Sequence, residues 1–142
     1  MKPLAQIEKV LHLRSVDLFS HCRAEEVIRI AAIADERLFG AGDEIYQKKE
    51  QPEALYCIVE GTVVLDSDDA ERQHVGKRET FGVREILSGR LRTTTASALE
   101  DTVALVIDAE DFFDLLSNNI DIVRALFREI ISDTPNGTGD SR

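Results

Sequence analysis

The chain has 142 residues, enough for one domain that buries roughly two-thirds of its unfolded surface. Its formal charge of −10 and its pI near 4.7 argue against broad binding to nucleic acids or anionic membranes, because both need positive charge. No apolar run approaches the roughly 20 residues that span a bilayer, and Met1 is not followed by the apolar core of a secretion signal. The two cysteines, Cys22 and Cys57, have no metal-binding spacing, so we expect a cytoplasmic protein with reduced thiols; the alternative is a single bridge between the two.

Two helices are predicted within residues 4–34. The first, residues 4–13, rests on apolar residues at helical spacing and could belong to an interface: Leu4, Ile7, Val10 and Leu11. The second, residues 23–34, has an apolar face and begins with two acids, Glu25 and Glu26, which complement the helix dipole.

The next part of the chain, residues 36–107, has short β-prone runs separated by glycine and proline turns. Runs at 54–59 and 62–65 flank Glu60-Gly61, which predicts a tight hairpin. Further strands are predicted at 73–75, 93–99 and 102–107, the last two pairing around Glu100-Asp101. Many short strands without βαβ alternation indicate a β-sandwich or barrel.

The chain then returns to helix, with predicted helices at 110–117 and 119–132 that carry apolar faces. The tail, residues 133–142, has no apolar residue to bury and is predicted to be disordered. The folded domain is therefore expected to cover residues 1–132.

One segment, residues 81–96, combines two glycines, a helical turn, an arginine and a threonine-rich strand. Between positions 77 and 92, two acids, Glu79 and Glu85, accompany five basic residues: Lys77, Arg78, Arg84, Arg90 and Arg92. Free N–H groups at a helix start attract anions, and an arginine is a bidentate partner for phosphate. The segment therefore predicts an anion site.

This segment resembles the phosphate-binding cassette of the cyclic nucleotide-binding domain family, as found in catabolite activator protein-like effector domains. The match has no gap and rests on Phe81, Gly82, Leu87, Gly89, Arg92 and Thr93. Residues 39–45 and 55–63 are similar to two further motifs of the family. The resemblance covers about residues 13–131 and implies a double-stranded β-helix (jelly-roll) sandwich of about eight strands. A short cassette helix is expected inside it, with helices at both ends.

The resemblance implies a site for cAMP or cGMP, with candidate ligand-binding residues Phe81, Gly82, Val83, Arg84, Glu85, Arg92 and Thr93. Arg92 takes the place of the arginine that grips the cyclic phosphate. Phosphate capture would then reorient the C-terminal helices. Thr93 resembles the hydroxyl residue of members that favour cGMP, although a threonine in a β-strand is an equally good interpretation.

The chain departs from the family at Val83, where the family has a glutamate that accepts a hydrogen bond from the ribose 2′-hydroxyl. Losing a buried hydrogen bond costs about 1–3 kcal/mol, which lowers affinity roughly ten- to hundredfold. Glu85 cannot replace that glutamate, because two residues along a helix rotate the side chain by roughly 200°. Without ligand, a buried Arg92 needs an internal carboxylate, and Glu85 is the candidate.

A cupin-like metalloenzyme is an alternative with little support. Such a site needs several converging histidines, whereas only His74 falls in the predicted sandwich and His12 and His21 lie in or beside helices. We therefore expect neither a metal site nor catalytic residues. No winged helix-turn-helix follows residue 132, so we do not expect this chain to recognise DNA either.

The sequence thus predicts a non-catalytic regulatory or sensor module with weakened or lost cyclic nucleotide binding. It would act through its helices on a partner protein or a neighbouring domain. The alternative is a genuine cAMP or cGMP sensor that uses Arg92 for the phosphate. The chain could be a segment of a longer protein, and its apolar helix faces could bring two copies together as a homodimer.

Overall fold

The structure of the chain is a computed structural model that describes residues 4–132. Its helices are α1 (Gln6–Arg14), α2 (Ala24–Ala32), α3 (Val83–Ser88), α4 (Ala109–Ser117) and α5 (Ile120–Ser132), with a 3₁₀ turn at Asp17–Phe19. Its strands are β1 (Ala34–Phe39), β2 (Glu44–Tyr46), β3 (Ala54–Glu60), β4 (Val63–Asp66), β5 (Gln73–Val75), β6 (Thr80–Phe81), β7 (Thr95–Ala98) and β8 (Thr102–Asp108).

The strands form two antiparallel four-stranded sheets, in the orders β1-β8-β3-β6 and β2-β7-β4-β5. The short helix α3 interrupts the strands between β6 and β7. The predicted jelly-roll sandwich of about eight strands with a helix inside and helices at both ends is therefore confirmed.

Two apolar clusters hold the layers together. The inner cluster lies between the sheets and includes Tyr56 and Ile58 of β3. The helical cluster joins the α-helices to the β1-β8-β3-β6 sheet and includes Leu55 and Cys57 of the same strand. Because side chains alternate along a strand, β3 contributes to both clusters and is buried on both faces.

The two predicted hairpins are wrong. Strand β3 pairs with β8 and β6, whereas β4 pairs with β7 and β5, so the turn at Glu60-Gly61 carries the chain from one sheet to the other. The turn at Glu100-Asp101 likewise joins β7 and β8 across the sandwich. Local turn residues signal a reversal but do not determine which sheet the next strand joins.

These two corners contact each other. The backbone N–H of Leu99 donates to the carbonyl of Thr62 at 2.9 Å, and the Thr62 hydroxyl donates to Glu100 at 2.7 Å. Gly61, with φ of 103°, lies directly against Asp101 and Thr102. The contact fixes the spacing of the sheets at this end of the sandwich.

The predicted helices are present with shifted ends. Helix α2 stops at Ala32, and Ala34, the last residue of the helix predicted at 23–34, begins β1 and is buried there. In α1 the outward-facing Ile7 and Leu11 are 64% and 58% exposed. Residues 133–142, predicted to be disordered, lie outside the described residues. Within residues 4–132, none of the helices is long and apolar enough to cross a membrane.

Gly61→Ala should destabilise the fold more than Gly42→Ala. Both glycines have positive φ, so each alanine is strained by about 1–2 kcal/mol. At Gly61 a Cβ would also lie 2.6 Å from the Asp101 carbonyl, while at Gly42 no atom lies within 4 Å. Overpacking typically adds a further 1–3 kcal/mol or so. Urea unfolding of both variants measures the difference, and equal losses would contradict the tight corner.

Stability should fall as the pH rises above about 8.5, the ordinary pKa of a free thiol. Burial raises the pKa of Cys57 to about 12, and burial together with the Glu26 carboxylate raises the pKa of Cys22 to about 11. The folded state therefore holds these protons more tightly than the unfolded state, and folding loses free energy as the pH increases. Urea midpoints between about pH 7 and pH 10 should show this decline, and Cys57→Ala should make it shallower. Parallel pH profiles for parent and variant would contradict the assignment to Cys57.

Candidate functional site

The site is centred on Arg92, which lies between α3 and β7. Its backbone is held on both sides by the loop between β2 and β3. The Arg92 N–H donates to the carbonyl of Glu50 at 2.8 Å, and the Arg92 carbonyl accepts from the N–H of Lys49 at 2.8 Å. The side chain extends into the sandwich and is 1% exposed.

Internal acceptors surround the guanidinium of Arg92. Nη1 donates to the Gly82 carbonyl at 2.6 Å and to Glu85 Oε1 at 3.0 Å, and Nη2 donates to the Ala54 carbonyl at 2.5 Å. Nε is buried and has no hydrogen-bond partner among the described residues. The charge is thus compensated by one carboxylate and two carbonyl dipoles, and these three hydrogen bonds use three of the five N–H groups of the guanidinium.

An aromatic group lies beside the guanidinium. The Arg92 Cζ atom is 4.0 Å from the centroid of the Tyr46 ring, a cation–π contact. Phe81 stacks on Tyr56 with centroids 4.8 Å apart, and both rings lie close to Tyr46. Burial raises the pKa of Tyr46 to about 12, so the ring stays neutral beneath the cation.

Gly82 is required by the close approach of the arginine. Its φ of 86° falls in the left-handed region, and a Cβ there would lie 3.0 Å from Arg92 Nη1 and 3.3 Å from the Ala54 carbonyl. A side chain at this position would therefore strain the backbone and displace the guanidinium.

Glu85 bridges two consecutive residues between α3 and β7, Arg92 and Thr93. Its Oε1 pairs with Arg92, and its Oε2 accepts a hydrogen bond from the Thr93 hydroxyl at 2.9 Å. The Glu85 side chain is 12% exposed. The predicted pairing of Arg92 with Glu85 is confirmed.

Two further candidate residues, Val83 and Arg84, lie in different environments. Val83 is half-buried and packs against the helical cluster, and Arg84 is exposed. Arg78 directs its Nε away from the site, to the Ser15 carbonyl at 3.1 Å. Of the five basic residues of this segment, Arg92 is buried and the other four are exposed. Within residues 4–132, no group of three or more His, Cys, Asp or Glu side chains could hold a metal ion.

Two contributions to the site were not predicted from the sequence: the ring of Tyr46 and the carbonyl of Ala54. Tyr46 follows one of the family motifs, but its contact with a residue 46 positions later depends on the pairing of β2 with β7. The Ala54 contact is made by the backbone, which gives no signal in the residue type. Neither could be found without the sheet register.

A family model described as the cyclic nucleotide-binding domain matches residues 36–119, more than half of the chain. The chain belongs to this family. It is a domain of the type found in regulatory and signalling proteins, as the resemblance implied.

Two curated relatives illustrate this. A cyclic nucleotide-gated potassium channel of Rhizobium etli is 30% identical over 112 residues, covering 79% of this chain and 31% of the channel. A cyclic AMP receptor protein of Thermus thermophilus is 28% identical over 109 residues, covering 73% of this chain and 50% of the receptor. The chain thus spans half or less of the length of these relatives.

A solved structure with a similar fold is the regulatory subunit of a cAMP-independent protein kinase A from Trypanosoma brucei, in a triple mutant bound to cAMP. It is 25% identical with a TM-score of 0.73, covering 92% of this chain and 48% of that chain. In that mutant a glutamate is replaced by alanine, and a threonine seven positions later is replaced by arginine.

Tyr46→Leu should destabilise the protein by about 2–4 kcal/mol, because it removes the ring under Arg92 and leaves a space in the inner cluster. Tyr46→Phe keeps the ring and serves as the matched control. If the cation–π contact stabilises the fold, the difference in unfolding free energy between Tyr46→Leu and Tyr46→Phe should be smaller in an Arg92→Met background. Urea unfolding of the variants in this double-mutant cycle measures the coupling energy between Tyr46 and Arg92. The same free-energy difference in both backgrounds would exclude a stabilising cation–π contact.

Proposed function

We propose that this chain is a non-catalytic regulatory domain whose pocket has weakened or lost cyclic nucleotide binding. It acts through its helices on a partner protein or a neighbouring domain. The observation that carries the proposal is the state of Arg92, the residue matched to the family's phosphate-binding arginine. Its guanidinium is buried and already engaged by Glu85, Gly82 and Ala54.

The position of Val83 supports the same conclusion. An apolar side chain cannot accept a hydrogen bond from a ribose hydroxyl, and Val83 instead packs against the helical cluster. A nucleotide bound here would therefore lack one polar partner and would meet an arginine whose acceptors are internal.

The kinase regulatory subunit of Trypanosoma brucei carries substitutions at two positions with the same spacing as Glu85 and Arg92. Its cAMP-bound mutant combines loss of a glutamate with gain of an arginine seven positions later. Glu85 and Arg92 are also seven positions apart, but this chain has both side chains at once.

Helix α5 is the element best placed to transmit a signal. Its buried residues Ile122 and Leu126 belong to the helical cluster, while its polar contacts to the N-terminal part are mostly exposed. Arg23 pairs with Asp121 at 3.3 Å, and the Ser20 hydroxyl donates to Glu129 at 2.9 Å. Exposed ion pairs contribute little, so the polar contacts of α5 can be exchanged at modest cost.

Partner contacts are proposed at the exposed apolar residues of the terminal helices. Ile7 and Leu11 project from α1, and Phe127 and Ile131 project from α5. They could contact a neighbouring domain or a second copy of the chain. Both cysteines are free thiols, which favours a reducing compartment, and we therefore propose a cytoplasmic location. The formal charge of −10 is the reason to propose no nucleic-acid partner.

The second candidate function is a genuine cyclic nucleotide sensor. It is favoured by the buried Nε of Arg92, which lacks a partner among the described residues and could donate to an incoming phosphate oxygen. In this case cAMP or cGMP would displace Glu85 and reorganise the site.

A thermal-shift titration with cAMP and cGMP tests the proposal, with 5′-AMP as control ligand and the Thermus thermophilus cyclic AMP receptor protein as positive control. A ligand at 100 times its Kd stabilises a fold by about 2.7 kcal/mol, a shift of several degrees. We expect no such shift at concentrations that saturate the control protein.

A clear shift with one cyclic nucleotide would support the sensor and overturn weakened binding. Arg92→Ala should then abolish that shift. A shift that persists in Arg92→Ala would exclude this arginine as the phosphate ligand.

A further inference from the structure

We propose that the Glu85 carboxylate occupies the place of the cyclic phosphate, so that Glu85 is the residue which excludes phosphate-bearing ligands. The inference rests on the proposed function of weakened nucleotide binding and names its main cause. It assigns a specificity-determining role to a side chain of this chain.

The hydrogen-bond geometry leads to this assignment. The two oxygens of Glu85 bind consecutive residues, Oε1 to Arg92 at 3.0 Å and Oε2 to the Thr93 hydroxyl at 2.9 Å. Arg92 and Thr93 are the positions matched to the end of the phosphate-binding cassette. A carboxylate bridging an arginine and a hydroxyl uses the same donors that two phosphate oxygens would use.

The charges explain why such a contact excludes a second anion. Among the contacts described, Glu85 is the carboxylate that pairs with Arg92, so the pair is neutral. An incoming phosphate would meet the negative charge of Glu85, while the positive charge of Arg92 is already paired with that carboxylate. The two side chains are only 12% and 1% exposed, and solvent therefore screens this repulsion poorly.

The arginine is nevertheless not fully satisfied by its internal acceptors. Nε of Arg92 is buried without a partner among the described residues. A carboxylate offers two oxygens, whereas a phosphate can offer a further acceptor to this donor. The site therefore has the donors for an anion with more oxygens once Glu85 is removed.

The test compares Glu85→Ala and Glu85→Gln with the parent chain by calorimetric titration of cAMP and cGMP. Glutamine keeps the size of the side chain and removes its charge, so it is the variant that best preserves packing. We expect both variants to bind one of the cyclic nucleotides roughly tenfold or more tightly than the parent, because a buried like-charge repulsion is lost. Val83→Glu is the matched comparison that restores the ribose acceptor and leaves Glu85 in place.

Two controls separate a phosphate effect from a general loosening of the pocket. Adenosine, which has no phosphate, should bind the parent and the Glu85 variants equally. Inorganic phosphate should raise the melting temperature of Glu85→Ala but not that of the parent or of the double variant Glu85→Ala/Arg92→Ala.

The outcomes distinguish this inference from the proposed function. Tight cyclic nucleotide binding by the parent would overturn both. A parent that binds weakly, with folded Glu85 variants that bind no better, would overturn the inference alone. So would a gain seen only in Val83→Glu, which would make the missing ribose acceptor the cause. Loss of the fold in both Glu85 variants, with and without phosphate, would make Glu85 a structural counter-ion and also overturn it.

Discussion

Burial of one guanidinium is the constraint on which this part of the molecule depends. A cation inside a sandwich is strongly destabilising unless its hydrogen bonds and charge are matched. Arg92 meets that requirement through elements that are distant in the chain: the end of β2, the start of β3 and the cassette helix. The same contacts fix the left-handed glycine that begins α3 and the position of Glu85. The arrangement of the site therefore follows from the requirement that the buried guanidinium have its charge compensated and its hydrogen bonds made.

The two apolar clusters are closed in different ways. The inner cluster is closed between two hydrogen-bonded sheets and includes stacked aromatic rings. The helical cluster is closed by helices that contribute a few buried side chains each and contact one another through exposed polar pairs. Rearrangement of α5 alone would separate Ile122 and Leu126 from the helical cluster and would leave the pairing of the strands intact.

Much of the fold and part of the site could be predicted from the sequence. Glycine positions, short β-prone runs and the cassette residues led to the sandwich and to Arg92, and the charge argument led to Glu85. Two strand pairings were wrong because Gly61 and Glu100 signal turns without specifying which sheet comes next. The roles of Tyr46 and the Ala54 carbonyl depend on register and backbone position, which residue identity does not encode.

Strand β3 lies against the arginine site, the helical cluster and the cassette. The carbonyl of Ala54 accepts from Arg92, and the side chain of the next residue, Leu55, lies in the cluster that holds the helices. One residue further, Tyr56 stacks on Phe81 at the entrance to the cassette. Three consecutive positions thus connect the arginine, the helices and the cassette. The backbone acceptor of Arg92 and a buried side chain of the helical cluster therefore belong to adjacent residues of one strand.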